Sequence, residues 1–200
     1  MKFINTLLSA LPLLVALNVQ AAADDILKPF VLGSKGAGTV AEKTEQAKSA
    51  LTGAGFSVVG NYSPYADAQI LIVTSDELKK NAAASEHGGF GAIQRVSITK
   101  VNNDVQVSYT NPVYMANAYR MKGDLSGTAT AMAGALGKVE EFGAKGMTAA
   151  KVRKYNYMIG MEHFDEPSLL AEYGSYEEAV KAVDAKLTSN KNGVSKVYRV

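Results

Sequence analysis

Six residues between Met158 and Glu166 have side chains of the types that hold metals. Met158 and Met161 offer thioethers, His163 an imidazole, and Glu162, Asp165 and Glu166 carboxylates. Soft sulfur beside imidazole suits copper in an exported protein. On a strand, Met161 and His163 would share a face, whereas Met158 stands at an odd separation from Met161 and would not. The candidate ligands are therefore Met161, His163, Asp165 and Glu166. The competing reading is plainer: methionines that fill a core and an acidic run solvated before Pro167.

His87 is the other histidine, in Ser85-Glu86-His87-Gly88-Gly89, where glycines could fold a loop over a ligand. Serine, glutamate and histidine together invite a hydrolase reading. Neighbours in sequence rarely converge as a triad, however, and no oxyanion-hole motif accompanies them. Gly33-Ser34-Lys35-Gly36-Ala37-Gly38-Thr39 has the look of a phosphate cradle before a helix, but it lacks the spacing of a P-loop and reads better as a glycine turn. Of the ten tyrosines, Tyr62, Tyr65, Tyr109, Tyr114 and Tyr119 fall around strand ends and the helix after a hairpin. An apolar body with a polar tip suits the wall of a small-molecule groove or a protein interface. These five and His87 are the candidate ligand-binding residues. No cofactor is implied.

Those residues must be positioned by a chain whose first 23 residues are set apart. Lys2, an apolar run from Leu7 to Leu17 and Ala21-Ala22-Ala23 make a secretory signal with cleavage after Ala21 or Ala23. An uncleaved anchor would need about 20 apolar residues, and Asn18 and Gln20 interrupt this stretch. The expected location is periplasmic or secreted, with no stable membrane insertion after cleavage. No cysteine is present, which excludes disulfides and thiol chemistry, so the core alone must hold the fold. Without Lys2 the formal charge falls from +2 to +1, which leaves no electrostatic footprint for nucleic acid.

Ile26 to Leu32 contains Pro29 and reads as an edge strand. Thr39-x-x-Glu42 has capping-box spacing, and Val40, Thr44, Ala47 and Leu51 form one apolar helix face that stops at Gly53 and Gly55. Phe56 to Tyr62 reads as a strand, Ala68 to Val73 as a central strand, and Ser75 as the cap of a helix reaching Ala84. Ile93 to Val101 and Val105 to Thr110 alternate polar and apolar residues about Asn102-Asn103-Asp104, the pattern of a hairpin with one wet face. Asn111-Pro112 opens a helix to Met121, and Leu125, Ala129, Met132, Leu136 and Val139 mark another over Leu125 to Phe142. This order predicts an α+β fold: an antiparallel sheet with helices packed on one face, occupying residues 24–146.

The remainder, 147–200, begins with a helix or linker over Met147 to Lys154 and a candidate strand over Tyr155 to Met161. Ser175-x-x-Glu178 and Tyr176, Val180, Val183 and Leu187 then repeat the first helix position for position at an offset of 136, followed by Gly193-Val194-Ser195 where the first copy has Gly55-Phe56-Ser57. The expectation is a partial second strand-helix-strand repeat. Such a unit would complete the first sheet, dimerise through an open edge, or belong to a longer natural product.

The stretch Gly55 to Tyr119 resembles the domain of unknown function (DUF) 302 family. The likeness lies in Gly55-Phe56-Ser57-Val58-Val59, Ile70-Leu71-Ile72-Val73-Thr74-Ser75 leading into Leu78-Lys79-Lys80, Val96-Ser97-Ile98-Thr99, and Val105-Gln106-Val107-Ser108-Tyr109 closing on Asn111-Pro112 and Met115. It extends over about residues 26–142 and implies a curved sheet of strand-helix-four-strand-helix order, TATA-binding-protein-like and commonly dimeric. Where many members carry cysteines, this chain has Val73-Thr74-Ser75 and Ala92-Ile93-Gln94. The family supplies no established activity. The resulting reading is an exported, non-enzymatic binding or interaction module with a protein partner or a homo-oligomeric state. A small-ligand or metal-binding protein is the alternative, and a hydrolase the third.

Overall fold

A computed structural model describes residues 25–200; the expected secretory signal of residues 1–23 lies outside them. The chain runs β1 (Ile26–Leu27), β2 (Phe30–Gly36), α1 (Val40–Gly53), β3 (Ser57–Tyr62), β4 (Ala68–Thr74), α2 (Asp76–Ala84), β5 (Gln94–Val101), β6 (Asp104–Thr110), α3 (Pro112–Ala118), α4 (Ser126–Leu136), β7 (Glu140–Phe142), β8 (Met147–Thr148), α5 (Ala149–Val152) and α6 (Tyr176–Thr188). Six strands form an antiparallel sheet in the order β3-β4-β5-β6-β2-β7, and β1 pairs with β8 in a small second sheet. The fold is α+β, as the sequence predicts.

Because side chains alternate across a strand, one register row decides which face is covered. Leu71 pairs with Val96, Val96 with Tyr109, and Tyr109 with Val31, and all four are buried. They join Leu51 of α1 and Met132 and Leu136 of α4 in a single core cluster. Burying each such side chain is worth about 1.5–3 kcal/mol, so this face carries most of the stabilisation.

Local chemistry places α1 over the row. The Thr39 hydroxyl accepts from the Glu42 amide at 3.2 Å, and the Glu42 carboxylate accepts from the Thr39 amide at 2.9 Å. At the other end Gly55 takes φ +86°, the Phe56 amide donates to the Leu51 carbonyl at 2.9 Å, and the Gly55 amide donates to Thr52 at 3.1 Å. That is a Schellman closure, with Phe56 and Leu51 buried together in the core. The same turn launches β3. Asn111 performs a similar junction after β6: its Oδ1 caps α3, while its Nδ2 donates to Lys28 O at 2.9 Å and to the Glu141 carboxylate at 3.0 Å.

Four expectations are corrected. The strand expected over Ile26 to Leu32 breaks at Pro29, and its main part, β2, runs on through the glycine-rich stretch to Gly36 and lies inside the sheet between β6 and β7. The register shift between Leu32 and Ser34 makes Gly33 a bulge residue. The helix expected to Phe142 ends at Leu136, because Gly137 takes φ +85° and the chain turns into β7. Residues 155–161 form turns and bends, with Gly160 at φ +85° and no partner strand. The second repeat keeps its helix, α6, but neither flanking strand forms.

At the Gly33 bulge the end of α4 comes close to the sheet. A Cβ on Gly33 would lie 2.7 Å from the Leu136 carbonyl oxygen, whereas one on Gly134 would meet nothing within 4 Å. Gly33→Ala is therefore expected to destabilise by about 1–3 kcal/mol, and Gly134→Ala in the exposed face of α4 to stabilise by about 0.5–1 kcal/mol. Urea unfolding midpoints at constant slope check both signs.

Candidate functional site

Asp165 is only 4% exposed, and both its oxygens accept from Arg120 Nε, at 2.9 and 3.0 Å. The same guanidinium reaches the Glu166 carboxylate at 3.0 Å, whose other oxygen accepts from the His163 amide at 2.8 Å. The His163 Nδ1 lies 3.0 Å from the Tyr155 carbonyl, a contact it makes as a donor. Both carboxylates among the candidate metal ligands are thus occupied by a cation 45 residues away in sequence, and Met161 is exposed. Among the described residues no three His, Asp or Glu side chains gather as a metal set. The cluster is a clasp. The Tyr155–Phe164 stack at 5.7 Å closes the segment on itself, and Arg120 fastens 155–166 to the end of α3.

The candidate tyrosines do not share one groove. Tyr109 is buried, and its hydroxyl donates to the Gly137 carbonyl at 2.9 Å. Burial first, and then the Glu141 charge, push that hydroxyl up to about 12. Tyr62 and Tyr65 are exposed at the β3–β4 end, Tyr119 stacks on Phe90 at 5.6 Å, and Tyr114 faces the Tyr155 side with its pKa raised by burial and by Tyr155. His87 is half-exposed in a left-handed turn at φ +52°. Its neighbour Ser85 donates to the Asn81 carbonyl at 2.7 Å and accepts from the Lys122 amide at 3.0 Å. That hydroxyl closes α2 and is not presented to a base.

Sequence reasoning missed where the apolar surface would lie. Of the 22 large apolar side chains exposed among the described residues, 14 fall within 157–200, so the excess belongs to the last segment and not to the sheet domain. Leu170 is 94% exposed and Tyr176 72%. In α1 the positions Thr44, Ala47 and Leu51 are buried; in α6, which repeats the same pattern, no residue is buried. The Ser175 hydroxyl accepts from the Glu178 amide at 3.2 Å, so α6 is capped like α1 without being covered like it.

The tail after α6 crosses the sheet at β3. A Cβ on Gly60 would lie 2.6 Å from the Val197 carbonyl oxygen and 2.9 Å from Tyr198 Cβ. Gly60 pairs with Ile72, which alternates with core residues Leu71 and Val73 and so lies on the opposite, helix-free face. Lys196 forms an ion pair with Asp184, joining tail to helix. Between them opens a cleft of about 330 Å³ lined by Tyr176, Val180, Val183, Leu187, Tyr198 and Val200 among others. This arm of α6, tail and the preceding 157–173 segment is the candidate site. Comparison with known proteins adds no relative: no protein-family model and no curated protein matches the chain.

The clasp has a pH signature. The Glu166 carboxyl is held below its ordinary 4.5, first by the His163 amide and then by Arg120. A depressed carboxylate contributes stability above its ordinary value and loses it as pH falls through the lower, folded value. Side-chain carbon NMR should therefore place the Glu166 midpoint below 4.5, with Arg120→Gln returning it only part of the way. Asp165→Ala should speed proteolysis within 155–175 at neutral pH while fragments of the β2–β6 core persist.

Proposed function

We propose that the protein is an exported, non-enzymatic interaction module whose C-terminal arm is its contact surface for a second protein chain. One observation carries this reading: a well-capped amphipathic helix and the segments around it hold most of the exposed large apolar side chains among the described residues. Soluble proteins rarely leave apolar patches beyond a few hundred Å² open to water unless something docks there. The arm also has a suitable composition, since Tyr157, Met158, Tyr173, Tyr176 and Tyr198 are side chains enriched at interface cores.

Two further points support the reading. The basic, apolar and small-residue pattern of residues 1–23 supports export. The likeness of Gly55 to Tyr119 to the DUF302 family, whose members are commonly dimeric, favours association of this chain with a protein, with a homo-oligomer as its simplest form. The hydrolase reading gains no support from Ser85, whose hydroxyl is committed to backbone groups.

A photo-crosslinking residue placed at Leu170, Tyr176 or Val183 should yield a discrete protein adduct in the exporting cell, while one at Lys100 should not. Light scattering would show whether the adduct is a second copy. Val183→Asp should weaken that association at least about tenfold, the scale of a buried interface anchor. Absence of adducts above the Lys100 control at all three positions would overturn the proposal.

A further inference from the structure

The helix-free face of the sheet holds a second feature, independent of the C-terminal arm. Ile70 pairs with Ser97, Ser97 with Ser108, and Phe30 with both Thr110 and Phe142. These positions alternate with the core residues Leu71, Val96, Tyr109 and Val31, so their side chains stand on the opposite face. They line a groove of about 280 Å³ together with Arg95.

The groove is chemically two-ended. Phe30 and Phe142 are 40% and 38% exposed, with ring centroids 5.7 Å apart and planes tilted by 38°, and they form the apolar end, while Ile70 on β4 stands at the far side of the groove beyond Arg95 and Ser97. Arg95 supplies the charge, and no ion pair among the described residues engages it. The Thr110 hydroxyl accepts from the Arg95 amide at 3.1 Å and donates to Gln94 Oε1 at 2.5 Å, which fixes the backbone that carries the guanidinium. Between the two ends stand two hydroxyls. Ser97 makes only a long contact to the Ser108 carbonyl at 3.3 Å, and the Ser108 hydroxyl has no protein partner among the described residues.

We propose that this groove binds a small amphipathic carboxylate, of the arylalkanoate class, with its ring on Phe30 and Phe142 and its carboxylate on Arg95 and the Ser97 and Ser108 hydroxyls. A guanidinium presents a planar fork of donors that matches a carboxylate's two oxygens. Aromatic faces accept the hydrocarbon end, and pockets that bind small molecules combine such walls with a few placed polar groups. The volume is just below the roughly 300–1,000 Å³ of such pockets, which limits the ligand to one ring and a short chain. A single arginine, with no second cation among the lining residues, suits a monoanion better than a phosphate ester.

The test is an amide NMR titration of residues 24–200 with 3-phenylpropanoate and, in parallel, 3-phenylpropan-1-ol. The acid should give saturable shifts at Arg95, Ser97, Ser108 and Phe142, and the alcohol should bind about tenfold more weakly, the scale of one charge-assisted hydrogen bond. Arg95→Gln, at an exposed position, should abolish the difference between the probes, and Phe142→Ala should weaken both. The spectra themselves report whether each variant is folded. The proposal is overturned by unsaturated or scattered shifts up to about 10 mM, by equal binding of acid and alcohol, or by an Arg95→Gln protein that holds the acid as the wild type does. None of these results depends on what occupies the C-terminal arm, because the groove shares no lining residue with its cleft.

Discussion

A single row of side chains, Val31, Tyr109, Val96 and Leu71, laid across four strands and sealed by Leu51 from α1 and Met132 from α4, organises the sheet domain. A sheet of alternating residues can bury one face under helices and must leave the other to water or to another surface. The local devices around α1 and α4 serve that burial. The Thr39–Glu42 box and the Gly55 turn set the length of α1, and the glycine bulge at Gly33 lets the end of α4 reach the strand beneath it. Tyr109 closes the arrangement by sending its hydroxyl to Gly137 at that same contact.

With one face sealed, function falls to what remains open. That is the helix-free face, carrying Arg95 between aromatic and hydroxyl groups, and the arm after residue 156, which crosses the same face at Gly60. The arm is attached to the sheet domain by Arg120, which grips Asp165 and Glu166, and by the tail's close approach to Gly60 of β3, while Lys196 and Asp184 tie the tail to α6 within the arm. The Arg120 contacts hold the 155–166 segment in place without using its apolar side chains, which stay exposed. The Val180, Val183 and Leu187 stripe is thus a face prepared as α1's is, but with no sheet against it.

Local rules made much of this legible in sequence. Thr39 with Glu42, Ser75, Asn111 before Pro112, and Ser175 each mark a helix start through a bond made within a few residues. The β5–β6 hairpin follows from alternation about Asn102, which takes φ +57°. Failures came where a distant contact decides. The stripe Leu125 to Val139 continues in helical period past Gly137, yet Gly137 turns the chain and the Val139 amide bonds to Leu32 at 2.7 Å. Tyr155 to Met161 has strand-like composition but no strand to pair with. The Met161 and His163 region was visible as chemistry, and Arg120, which claims its carboxylates, carries no local mark of that role. The wet face of the hairpin was foreseen at Arg95, Ser97 and Ser108; its aromatic wall was not, since Phe30 and Phe142 arrive from strands far along the chain.

Hydrogen exchange, followed by mass spectrometry across a dilution series, reads whether the apolar face of α6 is uncovered in the free chain. If α6 is a face awaiting a protein chain, its amides in the dilute monomer should exchange far faster than those of α1, and should gain protection when the adduct partner is added. Equal and strong protection of α1 and α6 in the dilute monomer, unchanged by the partner, would contradict it.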